Sequence, residues 1–210
     1  MGKKYNAQEV EEKIRKFWEK EKIFKFDSKR KGEVYSIDTP PPTVSGKMHI
    51  GHSFSYAQQD FIARFWRMNE NVFYPFGTDD NGLPTERLIE RLKKVKSKNM
   101  SRAEFIKLCL KSLKEITPDF IQDWKNLGIS ADYDIYYSTI DENSRKLSQK
   151  SFIDLFKQGI AYKKEFPTIW CPECQTAIAQ AELEDKEGKS FFSTLKFISG
   201  LFFFLLKKSR

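Results

Sequence analysis

Short apolar segments that alternate with longer amphipathic ones constrain the fold of this chain more than any other feature. Residues 34–38, 71–80 and 132–139 are typical of strands that end in prolines or turn residues. The first of them stops at three successive prolines, which cannot continue a sheet ladder. Helical periodicity fills the intervals between the strands. This strand–helix–strand order predicts an α/β fold with a parallel sheet.

Five helices are predicted: over about residues 7–22, from near Ser45, over 85–98, from Ser101 towards residue 127, and over 142–159. Ser101 and Glu104 have the spacing of a capping box. Apolar residues form a stripe on each of the first two helices, namely Val10, Ile14, Phe17 and Trp18 on the first, and Phe54, Ala57, Phe61, Phe65 and Met68 on the second.

The charge and the cysteine content limit the classes of protein to which the chain can belong. The chain has 37 lysines and arginines against 29 aspartates and glutamates, a formal net charge of +8. This balance favours a partner that carries phosphates, although a solvated surface accounts for most of the lysines. The N-terminus lacks the apolar core of a signal peptide, and an odd number of cysteines, three, does not make a disulfide framework. We therefore expect a cytoplasmic protein with reduced thiols.

Both histidines of the chain, His49 and His52, lie within four residues at the predicted start of a helix that follows a strand. The free N–H groups and partial positive charge of such a helix end suit a phosphate, and imidazole donors would add to them. Gly51 costs a helix about 1 kcal/mol relative to alanine, which suggests that something approaches the backbone closely there. The alternatives are a surface pair beside an incidental glycine, or two metal ligands without a nearby carboxylate. A P-loop is excluded, because Gly46-Lys47 lacks the rest of that motif.

Three separated motifs resemble one family. Pro40–His52 resembles the HIGH signature of the class I aminoacyl-tRNA synthetases, and Gly77–Glu86, GTDDNGLPTE, resembles the matching segment of the valyl, isoleucyl and leucyl group, most closely the valyl form. Residues 170–185 resemble the small module that precedes the editing insertion of this group. The resemblance covers residues 5–197, and it implies the first half of a Rossmann-like, parallel-sheet nucleotide-binding domain.

The resemblance also implies an ATP site. His49 and His52 would be the catalytic residues that contact the phosphates of ATP, supplied with Mg2+ as the substrate. Gly51 would lie against the adenine, and Thr43 would sit close to the phosphates. The implied chemistry is the attack of an amino-acid carboxylate on the α-phosphate, for which the protein supplies position and charge stabilisation.

A second implied site takes the amino acid, valine, before its transfer to tRNA(Val). Asp79 matches the aspartate that binds the α-ammonium group in this family, and a carboxylate at the carboxyl end of a strand is well placed for that pairing. Its neighbour Asp80 is a competing candidate, and either could be a turn-forming aspartate. Pro41 and Pro42 would form part of the pocket through their rigid backbone.

Cys171 and Cys174 form a C-P-E-C motif, which we interpret as half of a structural Zn2+ site. The alternatives are a thioredoxin-like redox pair, for which the strand-then-helix context is absent, and a turn with unused thiols. Cys109 lies in the middle of a predicted helix and is expected to be a buried apolar residue.

The expected organisation has four parts: a helical extension over residues 1–33, half of the catalytic domain over 34–161, a cysteine-containing module over 162–197, and an aberrant tail over 198–210. The tail contains an apolar run too short to span a bilayer, so no membrane association is expected. The family's Lys-Met-Ser-Lys-Ser signature does not occur in the 210 residues. We therefore expect little adenylation by this chain alone. The chain would come from a frameshifted, truncated or split gene, and in the last case a separate polypeptide would carry the missing half. The alternatives are part of an isoleucyl- or leucyl-type enzyme, or a half-fold that binds nucleotide or RNA without catalysis.

Overall fold

Two parallel strand ladders lie within residues 34–138 of the structure, a computed structural model that describes residues 5–180 and 183. Strand β1 (Val34–Ser36) pairs with β2 (Asn71–Phe73), and β3 (Pro75–Thr78) pairs with β4 (Asp132–Ser138). Only Tyr74 separates β2 from β3, so the two ladders follow one another along the chain. The predicted α/β fold with a parallel sheet is confirmed.

Helices connect the parallel strands and flank the sheet. Helix α2 (Ile50–Arg67) connects β1 to β2, while α3 (Gly82–Lys93) and α4 (Arg102–Leu127) connect β3 to β4. Helix α1 (Ala7–Glu21) precedes the sheet and α5 (Glu142–Lys157) follows it. The chain divides into two compact units, Met1–Ala161 and Tyr162–Arg210; in the second, the described residues include a short antiparallel hairpin of β5 (Trp170–Cys171) and β6 (Thr176–Ala177).

A buried tryptophan on α4 forms the centre of the core of the first unit. Trp124 is fully buried and packs against Tyr56 of α2, Phe76 of β3 and Phe120 of its own helix, with ring centroids 4.4, 5.9 and 6.1 Å away. Helix α4 begins with the predicted capping box, in which Ser101 Oγ accepts from the N–H of Glu104 at 3.3 Å and a Glu104 carboxylate oxygen accepts from the N–H of Ser101 at 3.0 Å.

Helix α2 begins later than predicted. Its first residue is Ile50 and its N-cap is His49, whereas the sequence pattern indicates a start near Ser45. The segment before it still belongs to the sheet, because the N–H of Val44 donates to the carbonyl of Asp79 at 2.9 Å and a parallel bridge joins Thr43 to Asp79. The chain cannot turn into a helix until it has left this ladder.

The predicted apolar faces of the first two helices are not in the core. The aromatic and aliphatic residues Phe54, Phe61, Phe65 and Met68 are 60–77% exposed, and α1 has no buried residue. Helix α2 instead buries Tyr56, Asp60 and Ala63. Hydrophobic periodicity predicted the wrong buried face for α2. The face that is buried contains the carboxylate of Asp60, which the pattern counts as polar.

That carboxylate, Asp60, joins α2 to the loop between α4 and β4. Its two oxygens accept from the N–H of Ser130 and from Arg64 Nε, each at 2.6 Å. Arg67 donates to the hydroxyl of Ser130 at 2.7 Å and to its carbonyl at 2.9 Å, and Arg64 donates to the carbonyl of Gly128 at 2.5 Å. Asp60 and its two arginines therefore fix α2 against the start of the strand that carries part of the candidate site.

Gly77 leaves no room for a side chain, since a Cβ atom there would lie 2.3 Å from the ring of Tyr137 on the paired strand. We expect Gly77→Ala to lower the free energy of unfolding by about 2 kcal/mol, because overpacking a fitted contact has a cost of this order. Urea denaturation of the 210-residue chain measures it. In a Tyr137→Ala background the same replacement should cost far less, and an equal cost in both backgrounds would show that the ring is not the obstacle.

Candidate active site

The candidate amino-acid site lies at the carboxyl ends of the parallel strands, where open α/β sheets bind ligands. Asp79 follows β3 directly and is half-buried. One of its carboxylate oxygens accepts from Thr43 Oγ1 at 3.2 Å, and the other accepts from Thr139 Oγ1 at 3.1 Å. A carboxylate has about four acceptor positions, so two positions remain after these bonds. The two threonines hold the group while it can still accept from an ammonium.

Its neighbour Asp80 is turned inwards and is only 7% exposed. One of its oxygens accepts from Thr78 Oγ1 at 2.7 Å and from the hydroxyl of Ser138. The other oxygen is buried without a hydrogen-bond partner in the part of the chain that the structure describes. Of the two competing aspartates, the geometry favours Asp79 as the one that meets a ligand.

The two histidines cap α2 reciprocally. Nδ1 of His49 accepts from the N–H of Gly51 at 3.1 Å, and Nδ1 of His52 accepts from the N–H of His49 at 3.4 Å. The rings stack, with centroids 3.9 Å apart and planes 22° from parallel. Because each Nδ1 is an acceptor, the proton of each neutral ring is on Nε2. The pair therefore presents two imidazole N–H donors at a helix N-terminus.

Burial, together with the neighbouring His49, lowers the pKa of His52 below its usual value near 6.5. The ring packs edge-on against Trp124, with centroids 5.9 Å apart. The neutral form is therefore favoured at pH 7, which is the form that keeps both the cap and the Nε2 donor.

Gly51 lies in close contact with the ring of His49. A Cβ atom at this position would lie 3.0 Å from Cε1 and 3.1 Å from Nδ1 of His49. The missing side chain lets the His49 ring fold back over the first turn of the helix. The implied contact of Gly51 with adenine stays a prediction.

Hydrogen bonds fix the proline segment, residues 40–42, at two points. The carbonyl of Pro42, a buried residue, accepts from the N–H of Asp79 at 2.9 Å, and the carbonyl of Pro40 accepts from the hydroxyl of Tyr56 on α2. Pro41 lies between them and is half-buried. This arrangement holds Thr43 against Asp79, while the roles of Pro41 and Pro42 in a pocket stay predictions.

Sequence analysis missed Thr139, the residue that follows β4. Its hydroxyl accepts from the N–H of Asp80 at 3.0 Å and from the side-chain amide of Asn81 at 3.2 Å, besides donating to Asp79. The rule that selects Asp79, a polar residue at the carboxyl end of a parallel strand, would have selected Thr139 as well.

The cysteine pair lies on the β5–β6 hairpin, where the N–H of Cys174 donates to Sγ of Cys171 at 3.4 Å. Two thiols with this spacing fit half of a tetrahedral zinc site. No group of three or more His, Cys, Asp or Glu side chains that could hold a metal occurs in residues 5–180 and 183. The half zinc site stays a prediction. Cys109 is half-buried rather than buried as expected; it packs against the core from α4, and burial raises its pKa.

A family model described as tRNA synthetases class I (I, L, M and V) matches residues 13–199. The chain belongs to this family. It is 48% identical over 197 residues to the valine–tRNA ligase of Rickettsia felis, covering 93% of this chain and 23% of that protein. It is also 48% identical over 198 residues to the valine–tRNA ligase of Wolbachia pipientis wMel, covering 94% and 23%. This class I synthetase chain thus spans about a quarter of the length of the curated relatives it matches.

A solved structure supports the fold. A chain in the crystal structure of the ternary complex of Agrobacterium radiobacter K84 agnB2 LeuRS-tRNA-LeuAMS matches 85% of this class I synthetase chain and 22% of its own length, with a TM-score of 0.64 and 24% identity. The resemblance drawn from the HIGH-type segment and GTDDNGLPTE is confirmed at the level of the family. Within the described residues, no helix is long and apolar enough to cross a membrane.

Proposed function

We propose that this chain forms the part of a valine–tRNA ligase that binds ATP and valine. The observation that carries the proposal is Asp79, a half-buried carboxylate held on both oxygens at the carboxyl ends of the strands. It suits the α-ammonium group of an amino acid, because an ion pair with hydrogen bonds is stronger than a neutral contact. The similarity to valine–tRNA ligases supports valine as that amino acid.

The reaction we propose is the activation of valine for transfer to tRNA(Val). A carboxylate oxygen of valine forms a bond to the α-phosphorus of ATP, the bond between that phosphorus and the bridging oxygen breaks, and pyrophosphate leaves with its electrons. Nε2–H groups of His49 and His52 donate to phosphate oxygens as charge develops there, and Asp79 orients the amino acid. Donors fixed before the reaction stabilise such charge without reorganisation. Mg2+ would enter with ATP as part of the substrate.

A chimera tests the proposal. Residues 13–199 replace the matching segment of the Rickettsia felis enzyme, and valine-dependent ATP–pyrophosphate exchange is measured. We expect exchange with valine and much slower exchange with isoleucine or leucine. A stable, folded chimera that exchanges with none of them would overturn the proposed function, and a preference for isoleucine or leucine would overturn valine as the substrate.

His52→Ala in this chimera is expected to lower kcat for exchange about a hundredfold, since removing one preorganised donor has an effect of this size. The replacement removes the Nε2 donor together with the Nδ1 acceptor of the cap. His52→Gln is the matched variant, because its amide restores a donor at similar reach, and it should recover part of the rate. If His52→Ala lowers the melting temperature but leaves kcat unchanged, the residue is a helix cap alone.

A further inference from the structure

Thr139 is placed where three polar groups of the β3–α3 connection meet. Its hydroxyl donates to Asp79 Oδ1 at 3.1 Å, and it accepts from the N–H of Asp80 and from Nδ2 of Asn81 at 3.0 and 3.2 Å. All three contacts go to consecutive residues that directly follow β3. One side chain directly after β4 therefore orders the whole segment that carries the candidate ammonium-binding carboxylate.

The direction of the hydroxyl proton follows from counting donors. A hydroxyl has one proton and two lone pairs. A backbone N–H and a side-chain NH2 group can only donate, so Asp80 and Asn81 occupy both lone pairs of Thr139. The single proton is left for Asp79, and it cannot turn away without breaking one of the other two bonds.

The opposite side of the carboxylate is held in the same way. Thr43, on the segment after β1, donates to Asp79 Oδ2 at 3.2 Å. Thr43 bridges to Asp79 from the segment after β1, Thr139 directly follows β4, and each contacts a different oxygen of the carboxylate. Rotation of the carboxylate about its Cβ–Cγ bond would break at least one of these contacts.

The sheet itself fixes Thr139. The N–H of Thr139 donates to the carbonyl of Thr78 at 3.0 Å, which continues the β3–β4 pairing one residue past the end of the ladder. The register of β4 thus sets the place of the hydroxyl, and the hydroxyl sets the orientation of Asp79.

We propose that Thr139 is a positioning residue for the amino group of the amino-acid substrate, acting through the orientation of Asp79. The inference rests on the proposed function and adds a residue and a role to it. Its effect should be confined to ligands that carry an ammonium group, because only that group meets the carboxylate.

The experiment uses the 210-residue chain and two ligands measured by calorimetric titration. One is valyl-sulfamoyl-adenosine, a stable mimic of valyl-adenylate, and the other is the same molecule without its amino group. We expect the wild-type chain to bind the amino form more tightly. Thr139→Val, which keeps the shape and removes the hydroxyl, should lower this preference about tenfold, the effect expected for one hydrogen bond to a charged group. Thr139→Ser should retain it.

A merely structural role predicts a different result. Thr139→Val would then weaken both ligands by the same factor and leave their ratio unchanged, which would overturn the inference. Thr85→Val is the matched control, because Thr85 is a buried residue whose hydroxyl donates to the carbonyl of Asn81 at 3.3 Å and makes no hydrogen bond to Asp79 in the described structure. If the wild-type chain binds neither ligand, the same titrations on the chimera decide the matter, and absence of binding there overturns the proposed function and the inference with it.

Discussion

Asp79→Asn is expected to lower kcat/KM for valine about a thousandfold in the chimera with the Rickettsia felis enzyme, while the KM for ATP changes little. The asparagine keeps the shape of the side chain but removes the charge, so the substrate ammonium is left without its counter-ion. Truncation of one partner of a desolvated charge pair costs about 2–5 kcal/mol, and about 4 kcal/mol corresponds to the thousandfold loss. Steady-state ATP–pyrophosphate exchange with varied valine measures the effect.

Asp80→Asn is the control for this assignment. The carboxylate of Asp80 accepts hydrogen bonds from Thr78 and Ser138 in the interior. Its replacement should therefore lower the melting temperature and leave the KM for valine nearly unchanged. The reverse pattern, with valine binding lost in Asp80→Asn and kept in Asp79→Asn, would transfer the ammonium-binding role to Asp80.

Asp60→Ala is expected to lower the free energy of unfolding of the 210-residue chain by about 2–4 kcal/mol, because it leaves the buried N–H of Ser130 without its acceptor and the partly exposed Arg64 without its counter-charge. The N–H of Ser130 and Arg64 Nε both lose the acceptor that now lies 2.6 Å from each of them. Urea denaturation followed by circular dichroism measures the change. Most domains have only about 5–15 kcal/mol in total, so the loss is a large fraction of the stability.

Two further variants check that mechanism. Asp60→Asn keeps one acceptor and should cost less than Asp60→Ala. Gln58→Ala lies on the exposed side of the same helix, where replacements usually change stability by less than about 0.5 kcal/mol. If Asp60→Ala costs no more than Gln58→Ala, the contacts between α2 and the α4–β4 loop do not stabilise the fold.

The strands near residues 34–38 and 132–139 and the capping box at Ser101 could be predicted from local residues, and the alternation of strands with helices predicted the parallel order. The single strand expected over 71–80 is instead two, β2 and β3, which pair with different partners. The face that α2 buries could not be predicted in this way. Periodicity assigns Phe54 and Phe61 to the core, but Asp60 lies there, since its partners Ser130 and Arg64 satisfy both of its oxygens. A buried carboxylate is recognised only when its long-range partners are known.

The residues of the candidate site could likewise be predicted only where a local motif marks them. Motif resemblance placed the chain in its family, and the structure has His49 and His52 at the start of α2 and Asp79 at the end of β3, while their roles stay predictions. The resemblance could not find Thr139, which lies 60 residues from Asp79 and reaches it only through the pairing of β3 with β4. Contacts across the sheet depend on register, which one short motif does not contain.

The contact between His52 and Trp124 also provides an intrinsic fluorescent probe of the candidate site. Trp124 is fully buried, whereas the other three tryptophans, at positions 18, 66 and 170, are partly or largely exposed. A buried indole emits at shorter wavelength than a hydrated one, so its fluorescence can be separated from theirs. Because its ring touches the histidine that we expect to meet phosphate, occupation of the site should change the blue edge of the emission. Nucleotide binding could then be followed by intrinsic fluorescence without a label.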